Sequence, residues 1–394
     1  MADAGREAFI TGIGIISCLG EGPEAHWQGL NSAQPQGNAT ALPPYILHPI
    51  TGTDFDKQIP KKGDQRQMEP WQRIGTYAAG LALDSAGLKG QAELLARTDM
   101  IVAAAGGERD LAVDSTILSA YGKIENLDRF VNERLMSDLR PTLFLAQLSN
   151  LLAGNISIVH GVTGSSRTFM GEESAGIDAV RIGLARIAAG QSDIVLVGGS
   201  SNCERPDIIM LYEYSSYPLK DAFAPVWKRA PKGGVALGSM GAFLVIESGE
   251  SAERRGVKRL ARLTAMYADR TRRKPGDVDA TMTWMWDKLG VPDAGTVVIS
   301  GASGVEPATG EERAFLARHQ DVVVRSTGSY LGHGPEPQFA MNIALAALTL
   351  NRGTLFPPGD DSGVERPAQG SFQRVVVTGI GHWRGEGMAL VEAP

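Results

Sequence analysis

The stretch that decides the fold runs from residue 161 to residue 200 and reads GVTGSSRTFMGEESAGIDAVRIGLARIAAGQSDIVLVGGS. After Glu173, apolar side chains recur at helical spacing until Gly190 interrupts the pattern; they are Ile177, Val180, Leu184 and Ile187. A short apolar run follows at 194–197 and is typical of a buried strand. The stretch therefore predicts a helix that begins near Glu173 and leads into a strand.

Short apolar runs alternate with helical patterns along the rest of the chain. The predicted strands lie at 8–13, 100–104, 194–197, 243–246, 297–299, 322–324 and 375–377. Such alternation favours an α/β protein whose sheets are largely buried. The nearly identical segments ITGIG at 10–14 and VTGIG at 377–381 suggest that two similar halves have been joined.

The segment 248–277 is rich in charge, and we interpret it as a solvated helix face and linker between the halves. This interpretation divides the chain into an N-terminal half, 1–250, and a C-terminal half, 251–394. No low-complexity tract separates them, so we expect the two halves to pack as one body.

The overall charge limits the kinds of partner. The chain has 394 residues and a formal net charge of only −6, so no basic field favours nucleic acid or an anionic membrane surface. No leader-like segment and no apolar run approaching roughly 20 residues predicts export or a membrane span. We expect a cytoplasmic protein whose partners are proteins and small molecules.

Two cysteines, Cys18 and Cys203, lie far apart in the sequence and outside metal-binding spacings. We therefore expect neither a disulfide, nor a metal site, nor a cofactor. Cys203 follows the glycine pair at 198–199 and is a conceivable displaced nucleophile, but no neighbouring residue in the sequence supplies a base. Inert thiols are the simpler interpretation.

Five motifs spread over nearly the whole chain resemble β-ketoacyl-acyl-carrier-protein synthases in addition to the stretch at 161–200. They are ITGIGIISCLGEG (10–22), QRQMEPWQRIGTYAAGLALDSAG (65–87), LRPTLFLAQLSNLLAGNISIVHG (139–161), GGVALGSMGAFLVIESGESAERRG (233–256) and STGSYLGHGPEPQFAMNIALAALTLNRGTLFPP (326–358). The resemblance implies an α/β thiolase-like fold with five αβαβα layers and two pseudo-duplicated halves.

The resemblance places Glu173 where this family has its nucleophilic cysteine. Ungapped counts forward from Gly161 and Gly164, and back from Asp193 and Gly198, agree on that position. A helix beginning there would hold the carboxylate ionised through its free N–H groups and its dipole. The alternative is that Glu173 is simply an acidic residue favoured in the first turn of a helix.

The same resemblance assigns the other site positions. Ser300, in ISGA, replaces the first catalytic histidine, and Gly328, in STGS, replaces the lysine. The second histidine is retained as His333, although a lone histidine is also common as a structural residue. The C-terminal gate of the family corresponds to GIGH at 379–382, which includes Ile380 and His382.

Together these replacements argue against ordinary condensation by this chain alone. A carboxylate at 173 could carry an acyl group only as a labile anhydride. Ser300 and Gly328 cannot replace the donors that stabilise the enolate, and the loss of one such donor costs about 100- to 1000-fold in comparable sites.

Three functions follow from the resemblance. The first is a non-condensing subunit, similar to a chain-length factor, that pairs with an active synthase in fatty-acid or polyketide synthesis. The second is a malonyl-carrier decarboxylase or initiating acyltransferase that uses Glu173, and the third is a scaffold that binds acyl carrier protein. All three imply a phosphopantetheine-linked carrier, docked at Lys61, Lys62 and Arg66, and a homodimer or a heterodimer.

Overall fold

The computed structural model describes residues 5–32, 34–141, 143–368 and 370–394. The strands are β1 Ala8–Ser17, β2 Gly20–Glu21, β3 Asn38–Leu42, β4 Tyr45–His48, β5 Asp99–Ala103, β6 Ser166–Phe169, β7 Ile194–Ser201, β8 Leu237–Gly238, β9 Met240–Ser248, β10 Ala261–Asp269, β11 Thr296–Ser300, β12 Val323–Ser326, β13 Arg374–Ile380 and β14 Glu386–Glu392. The helices are α1 Gly22–Ser32, α2 Lys62–Gln67, α3 Pro70–Ser85, α4 Ala92–Leu95, α5 Leu111–Ala120, α6 Leu127–Asp138, α7 Leu143–Ala146, α8 Leu151–His160, α9 Glu172–Ala188, α10 Pro206–Tyr214, α11 Gly249–Arg255, α12 Asp277–Leu289, α13 Ala308–Arg318, α14 Gly328–Leu331 and α15 Gln338–Arg352. Within the described ranges, none of these helices combines the length and the apolar character that a membrane crossing requires.

Ten of the strands form two sets of five with the same topology. The first set has the order β1-β9-β7-β5-β6, and the second has the order β10-β14-β13-β11-β12. When the strands of each set are counted along the chain, the first pairs antiparallel with the fifth, and the fifth pairs antiparallel with the fourth. The fourth, second and third strands follow in that order and are parallel to one another. The structure thus confirms two pseudo-duplicated halves.

Helices and sheets alternate in five layers. The helices α9 and α15 lie between the two sheets, where one buried apolar cluster draws side chains from both halves. The helices α3 and α8 cover the outer face of the first sheet, and α12 and α13 cover that of the second. The sheets join where Phe9 and Ile10 pair with Arg262 and Ala261. This arrangement confirms the predicted thiolase-like fold.

The stretch at 161–200 folds as its pattern predicts. Helix α9 begins at Glu172, one residue before the expected start, and buries Ile177, Val180 and Ile187 against the sheets. Strand β7 extends the predicted run through the glycine pair to Ser201. A Cβ on Gly198 would lie 2.0 Å from the carbonyl oxygen of Ala242 on β9, so only glycine allows this strand pairing.

The short sequence repeat is not a trace of the duplication. The segment 10–14 lies on β1, the first strand of its set, whereas 377–381 begins on β13, the fourth strand of the other set. The two copies therefore occupy different topological positions. The interpretation of this repeat was wrong, although the two halves themselves exist.

The charged segment 248–277 lies between the two sets of strands and is itself folded. It contains α11 and then β10, which pairs with both β1 and β14 and so links the two sheets. Two of its arginines are paired with acidic residues: Arg255 contacts the buried Glu247, and Arg262 bonds Glu7 and Glu392, each at 2.8 Å. The division into domains after residue 250 falls inside α11 and stays a prediction.

Candidate active site

A sharp turn at the start of α9 carries Glu173 into the interior. Gly171 has a φ of 126° and Glu172 a φ of 52°, so two successive residues adopt positive φ values. The carbonyl of Gly171 accepts hydrogen bonds from Ser174 Oγ at 2.8 Å and from the amide of Ala175 at 3.3 Å. The carboxylate of Glu173 lies beside the helix N-terminus, and the residue is only 4% exposed.

Two buried histidines from distant segments meet this carboxylate. Nε2 of His333 lies 2.8 Å from Oε1 of Glu173, and Nδ1 of His382 lies 3.4 Å from the same oxygen. His333 follows α14, where its amide donates to Ala236 and its carbonyl accepts from Gly238. His382 follows β13, so the end of a strand, a loop and a helix start supply the three side chains.

The electrostatics of the cluster favour an ionised Glu173. Burial alone would raise the pKa of this carboxyl, but His382 and the hydrogen bond and charge of His333 outweigh it and lower the pKa to about 2. Burial lowers the pKa of His382 to about 4, although the Glu173 carboxylate acts in the opposite direction. At neutral pH the cluster therefore favours a carboxylate at Glu173.

Aromatic side chains fix the ring of His382. Its centroid lies 5.4 Å from that of Tyr212, 5.7 Å from Tyr217 and 5.9 Å from Trp383. The turn before it is equally tight, since a Cβ on Gly381 would lie 2.0 Å from the carbonyl oxygen of Arg384 and 3.0 Å from Oε2 of Glu173.

The cluster also offers atoms that could hold a metal ion. One donor atom from each of Glu173, His333 and His382 lies within 4.8 Å of the others. Among the described residues, Oε2 of Glu173, Nδ1 of His333 and both ring nitrogens of His382 are buried without a hydrogen-bond partner. The sequence assigned His382 to a gate and did not place it beside Glu173.

A cavity of about 240 Å³ reaches the cluster at His333. Glu172, Glu336, Cys203 and Trp383 contribute to its wall. Burial raises the pKa of Glu336 to about 8, and the nearby carboxylates of Glu173 and Glu172 add to that rise. Glu336 is therefore protonated at neutral pH. Its neutral carboxyl group lies in the cavity wall near the ionised carboxylate of Glu173.

Ser300 and Gly328 lie near one another but make no direct bond to Glu173. Ser300 ends β11, and its hydroxyl donates to the buried Glu312 at 2.9 Å. Gly328 begins α14. A buried hydrogen-bond chain runs from Gly334 through Gln338 to Asn342, whose amide donates to the Ser300 carbonyl.

This polar chain was missed in the sequence. Gln338 and Asn342 are spaced four residues apart on one helix, which is a usable signal for a shared polar face. Glu312 gave no local signal, since its neighbours in the sequence are those of an ordinary surface helix. Only the packing of α13 against β11 and β13 buries its carboxyl between Ser300 and Thr378.

The predicted carrier-binding residues are exposed at one short helix. Lys61 caps α2, and Lys62 and Arg66 lie within it. Lys62 is already paired with Asp56 at 2.5 Å. Their role in carrier docking stays a prediction.

Both cysteines are poor candidates for a nucleophile. Burial raises the pKa of the Cys18 thiol to about 11 and that of the Cys203 thiol to about 12. Cys203 lines the cavity, but it lies beside Ser239, whose hydroxyl donates to its sulfur at 3.1 Å. Neither thiol would ionise appreciably at neutral pH.

Comparisons with known proteins give the family. The model of the family "Beta-ketoacyl synthase, N-terminal domain" matches residues 6–252. The chain is 24% identical over 355 residues to the 3-oxoacyl-[acyl-carrier-protein] synthase 2 of Vibrio cholerae, with 83% of this chain and 82% of that protein covered. It is also 24% identical to the ketoacyl synthase beta subunit of the tetracenomycin polyketide synthase of Streptomyces glaucescens, with 92% and 89% covered.

Among solved structures, the ishigamide ketosynthase/chain length factor superposes with a TM-score of 0.81 at 18% identity. The match covers 99% of this chain and 100% of that chain, and at this identity it supports the fold alone. The family model, by contrast, spans well over half of the chain. The protein is therefore a member of the β-ketoacyl synthase family.

Proposed function

We propose that this chain is a non-condensing subunit, similar to a chain-length factor, that pairs with an active β-ketoacyl synthase. In the complex the partner would carry the acyl chain, and this chain would help to shape the tunnel that holds it. The observation that carries the proposal is the buried carboxylate of Glu173, which occupies the predicted nucleophile position and engages His333 at 2.8 Å.

The chemistry of the cluster supports a non-condensing role. Glu173 cannot form a stable acyl intermediate comparable to a thioester. The hydrogen bond to Glu173 already occupies Nε2 of His333, the retained histidine. Ser300 donates to Glu312 rather than toward the cluster, and Gly328 has no side chain with which to stabilise an enolate.

The surface of the first half supports pairing with another subunit. Strand β6 ends the sheet, and within the described part of the chain β5 is its one strand partner. Met170, directly after β6, is 61% exposed, and Ile158, on the adjacent α8, is 73% exposed. An unpaired sheet edge beside exposed apolar side chains is suited to a protein partner.

The helices α5 and α6 add to this surface. They pack on each other, and among their side chains only Val113 is buried. Leu118 is 72% exposed and Met136 is 81% exposed. A helix pair with so little contact to the core gains stability when a partner covers its apolar side chains.

The names of two related proteins agree with this role. One relative is the beta subunit of a polyketide ketoacyl synthase, and one structural neighbour is a ketosynthase/chain length factor. A third relative is named for an acyl-carrier-protein substrate. We infer that the substrates of the complex are carried on such a protein, and that the complex acts in fatty-acid or polyketide synthesis.

The test is to purify this chain with and without a synthase encoded by the same organism. We expect a stable complex by native mass measurement, and condensation of malonyl-carrier substrate only in the complex. We further expect Ile208→Trp, which narrows the cavity, to shift the product lengths, whereas Met210→Trp on the same helix but outside the cavity wall should not. Sustained condensation by the isolated chain, abolished in Glu173→Gln, would refute the proposal.

The contact between Glu173 and the retained His333 favours one second candidate, a malonyl-carrier decarboxylase. Under that function the isolated chain would release CO₂ from malonyl-carrier without making a β-ketoacyl product. Carrier binding with neither reaction, and with no synthase partner, would instead indicate a scaffold.

A further inference from the structure

We propose that Glu173, His333 and His382 form a site for one divalent first-row transition ion, with zinc as its representative. The inference is independent of the proposed function, since it concerns the donor atoms and not a partner subunit. The earlier expectation of no metal site rested on cysteine spacing, which does not detect a set of two histidines and one carboxylate.

The distances suit three ligands of one ion. Zinc binds histidine nitrogen and carboxylate oxygen at about 2.0–2.2 Å, so neighbouring ligand atoms lie roughly 3–3.5 Å apart. The distance of 3.4 Å from Oε1 of Glu173 to Nδ1 of His382 lies within that spacing, and the distance of 2.8 Å to Nε2 of His333 would have to lengthen slightly when an ion binds. All three donor atoms lie within 4.8 Å of one another.

Several polar atoms of the three residues have no hydrogen-bond partner among the described residues. The hydrogen bond from Nε2 of His333 to Oε1 of Glu173 would give way to the ion, and the imidazole proton would move to the unpaired Nδ1. His382 has a fully buried side chain, yet neither of its ring nitrogens has a hydrogen-bond partner among the described residues. Oε2 of Glu173 is likewise buried and unpaired in the described part of the chain. Unpaired buried polar atoms are costly, and an ion bound between them would satisfy at least one atom of each residue.

The three side chains are preorganised by the residues around them. Backbone hydrogen bonds to Ala236 and Gly238 clamp His333, and three aromatic rings surround His382. The helix start fixes Glu173, and the absence of a side chain at Gly381 leaves room for its carboxylate. Such support lowers the conformational cost of binding.

The donor set selects the class of ion. Two imidazoles and one carboxylate suit Zn²⁺ or Fe²⁺, whereas Mg²⁺ and Ca²⁺ favour oxygen ligands. The cavity at His333, whose wall includes Glu172 and Glu336, provides a path by which an ion could reach the site.

The test uses the full chain freed of metal with a chelator and titrated with Co²⁺ and then Zn²⁺. We expect one equivalent of Co²⁺ to give visible ligand-field absorption, which one equivalent of Zn²⁺ removes. Glu173→Gln, His333→Gln and His382→Gln should each weaken binding more than about tenfold, the lower limit for losing even an outer contact of a metal site. His319→Gln is the matched control, because His319 also contacts a carboxylate, Asp293 at 2.9 Å, but lies outside the cluster.

A second measurement does not depend on how the variants fold. The wild-type chain loaded with one equivalent of Cu²⁺ should show two coordinated imidazoles by pulsed electron paramagnetic resonance. Fewer than two imidazoles, less than stoichiometric binding by the wild type, or binding that survives in folded forms of all three variants would overturn the proposal. Loss of binding only in His319→Gln would show an adventitious surface site and would overturn it as well.

Discussion

Nε2 of His333 donates a hydrogen bond to the carboxylate of Glu173 at 2.8 Å, although 160 residues separate the two in the sequence. An ionised carboxylate can only accept, so Nε2 of His333 carries the proton of this hydrogen bond. In the family that this chain resembles, the corresponding histidine binds the malonyl thioester. In this chain the carboxylate of Glu173 already accepts from that donor, which supports the proposal that the chain does not condense.

Changing Glu173 to cysteine should create a reactive thiol without creating a synthase. The start of α9 should lower the thiol pKa, whereas burial raises the pKa of Cys18 to about 11 and that of Cys203 to about 12. We expect iodoacetamide to modify position 173 at least about tenfold faster than either native cysteine, as measured by peptide mass spectrometry. Slower labelling would place the predicted nucleophile position elsewhere, and robust condensation by this single variant would contradict the importance of Ser300 and Gly328.

Adding Ser300→His and Gly328→Lys to Glu173→Cys should permit condensation to appear, but only weakly. A Cβ at Gly328 would lie 2.9 Å from the carbonyl oxygen of Ala302 and 3.1 Å from Val226, so the start of α14 must shift to accept a lysine. The measurement is β-ketoacyl product formed per chain, compared with the double variant that keeps Gly328. Equal activities would show that the lysine position contributes nothing.

Glu173 and His333 should be energetically coupled. In a double-mutant cycle with Glu173→Gln and His333→Gln, measured by denaturant unfolding in the presence of a chelator, we expect a coupling free energy of about 1–3 kcal/mol. Each single change leaves a buried polar partner unsatisfied, and the second change removes part of that cost. The control cycle combines Glu173→Gln with His319→Gln, whose effects should add to within about 0.5 kcal/mol.

Glu312 should make the protein less stable as the pH rises. Burial raises its pKa to about 7, although hydrogen bonds from Thr378 and Ser300 oppose the rise. Because the folded state holds this proton more tightly than the unfolded chain, the contribution is complete below about pH 4.5 and is lost as the pH rises through about 7. Between about pH 4.5 and 8 the unfolding free energy of the wild type should therefore decrease. In Glu312→Gln this decrease should be smaller by up to about 3 kcal/mol.

The control for this measurement is Glu253→Gln, which changes an exposed carboxylate on α11. Stability should be measured by urea unfolding at several pH values between 4.5 and 8. A decrease of the same size in wild type and in Glu312→Gln would show that this carboxyl is ionised in the folded protein throughout the range.

Reversing the charges of Lys61, Lys62 and Arg66 should weaken the binding of an acidic acyl carrier protein. Exposed charges contribute about 0.2–1 kcal/mol each, so we expect about a tenfold loss of affinity at low salt. The difference should shrink as ionic strength rises, because salt screens surface charges. Reversal of the exposed Arg97, Lys123 and Lys288 is the control, and equal losses in both triple variants would indicate a non-specific charge effect.

A methyl group at Gly381 should disturb the site and the fold together. The Cβ of Gly381→Ala would overlap the carbonyl oxygen of Arg384, at 2.0 Å, so the turn must move. We expect a loss of about 3 kcal/mol in unfolding free energy. Gly154→Ala is the control, since the nearest atom to its Cβ lies 3.6 Å away and alanine is favoured inside a helix; a similar loss there would contradict the steric explanation.

The sequence by itself determined the elements and the family. The helix after Glu173, strand β7 and the other core strands follow from local apolar spacing, which reflects the face that each element buries. The resemblance to the synthase family also assigned Glu173 and His333 to one site, and the structure brings their side chains together.

Tertiary structure decided what depends on pairing between distant segments. The charges of segment 248–277 predicted a solvent-exposed helix face and linker. The structure instead places β10 between β1 and β14, where Arg262 pairs with Glu7 and Glu392 from distant parts of the chain. The sequence does not indicate that His382 contacts Glu173. The two side chains come together only because the end of β13 lies beside the start of α9. Local patterns record which side of an element is buried, but the identity of a buried neighbour is fixed only when the sheets and helices pack.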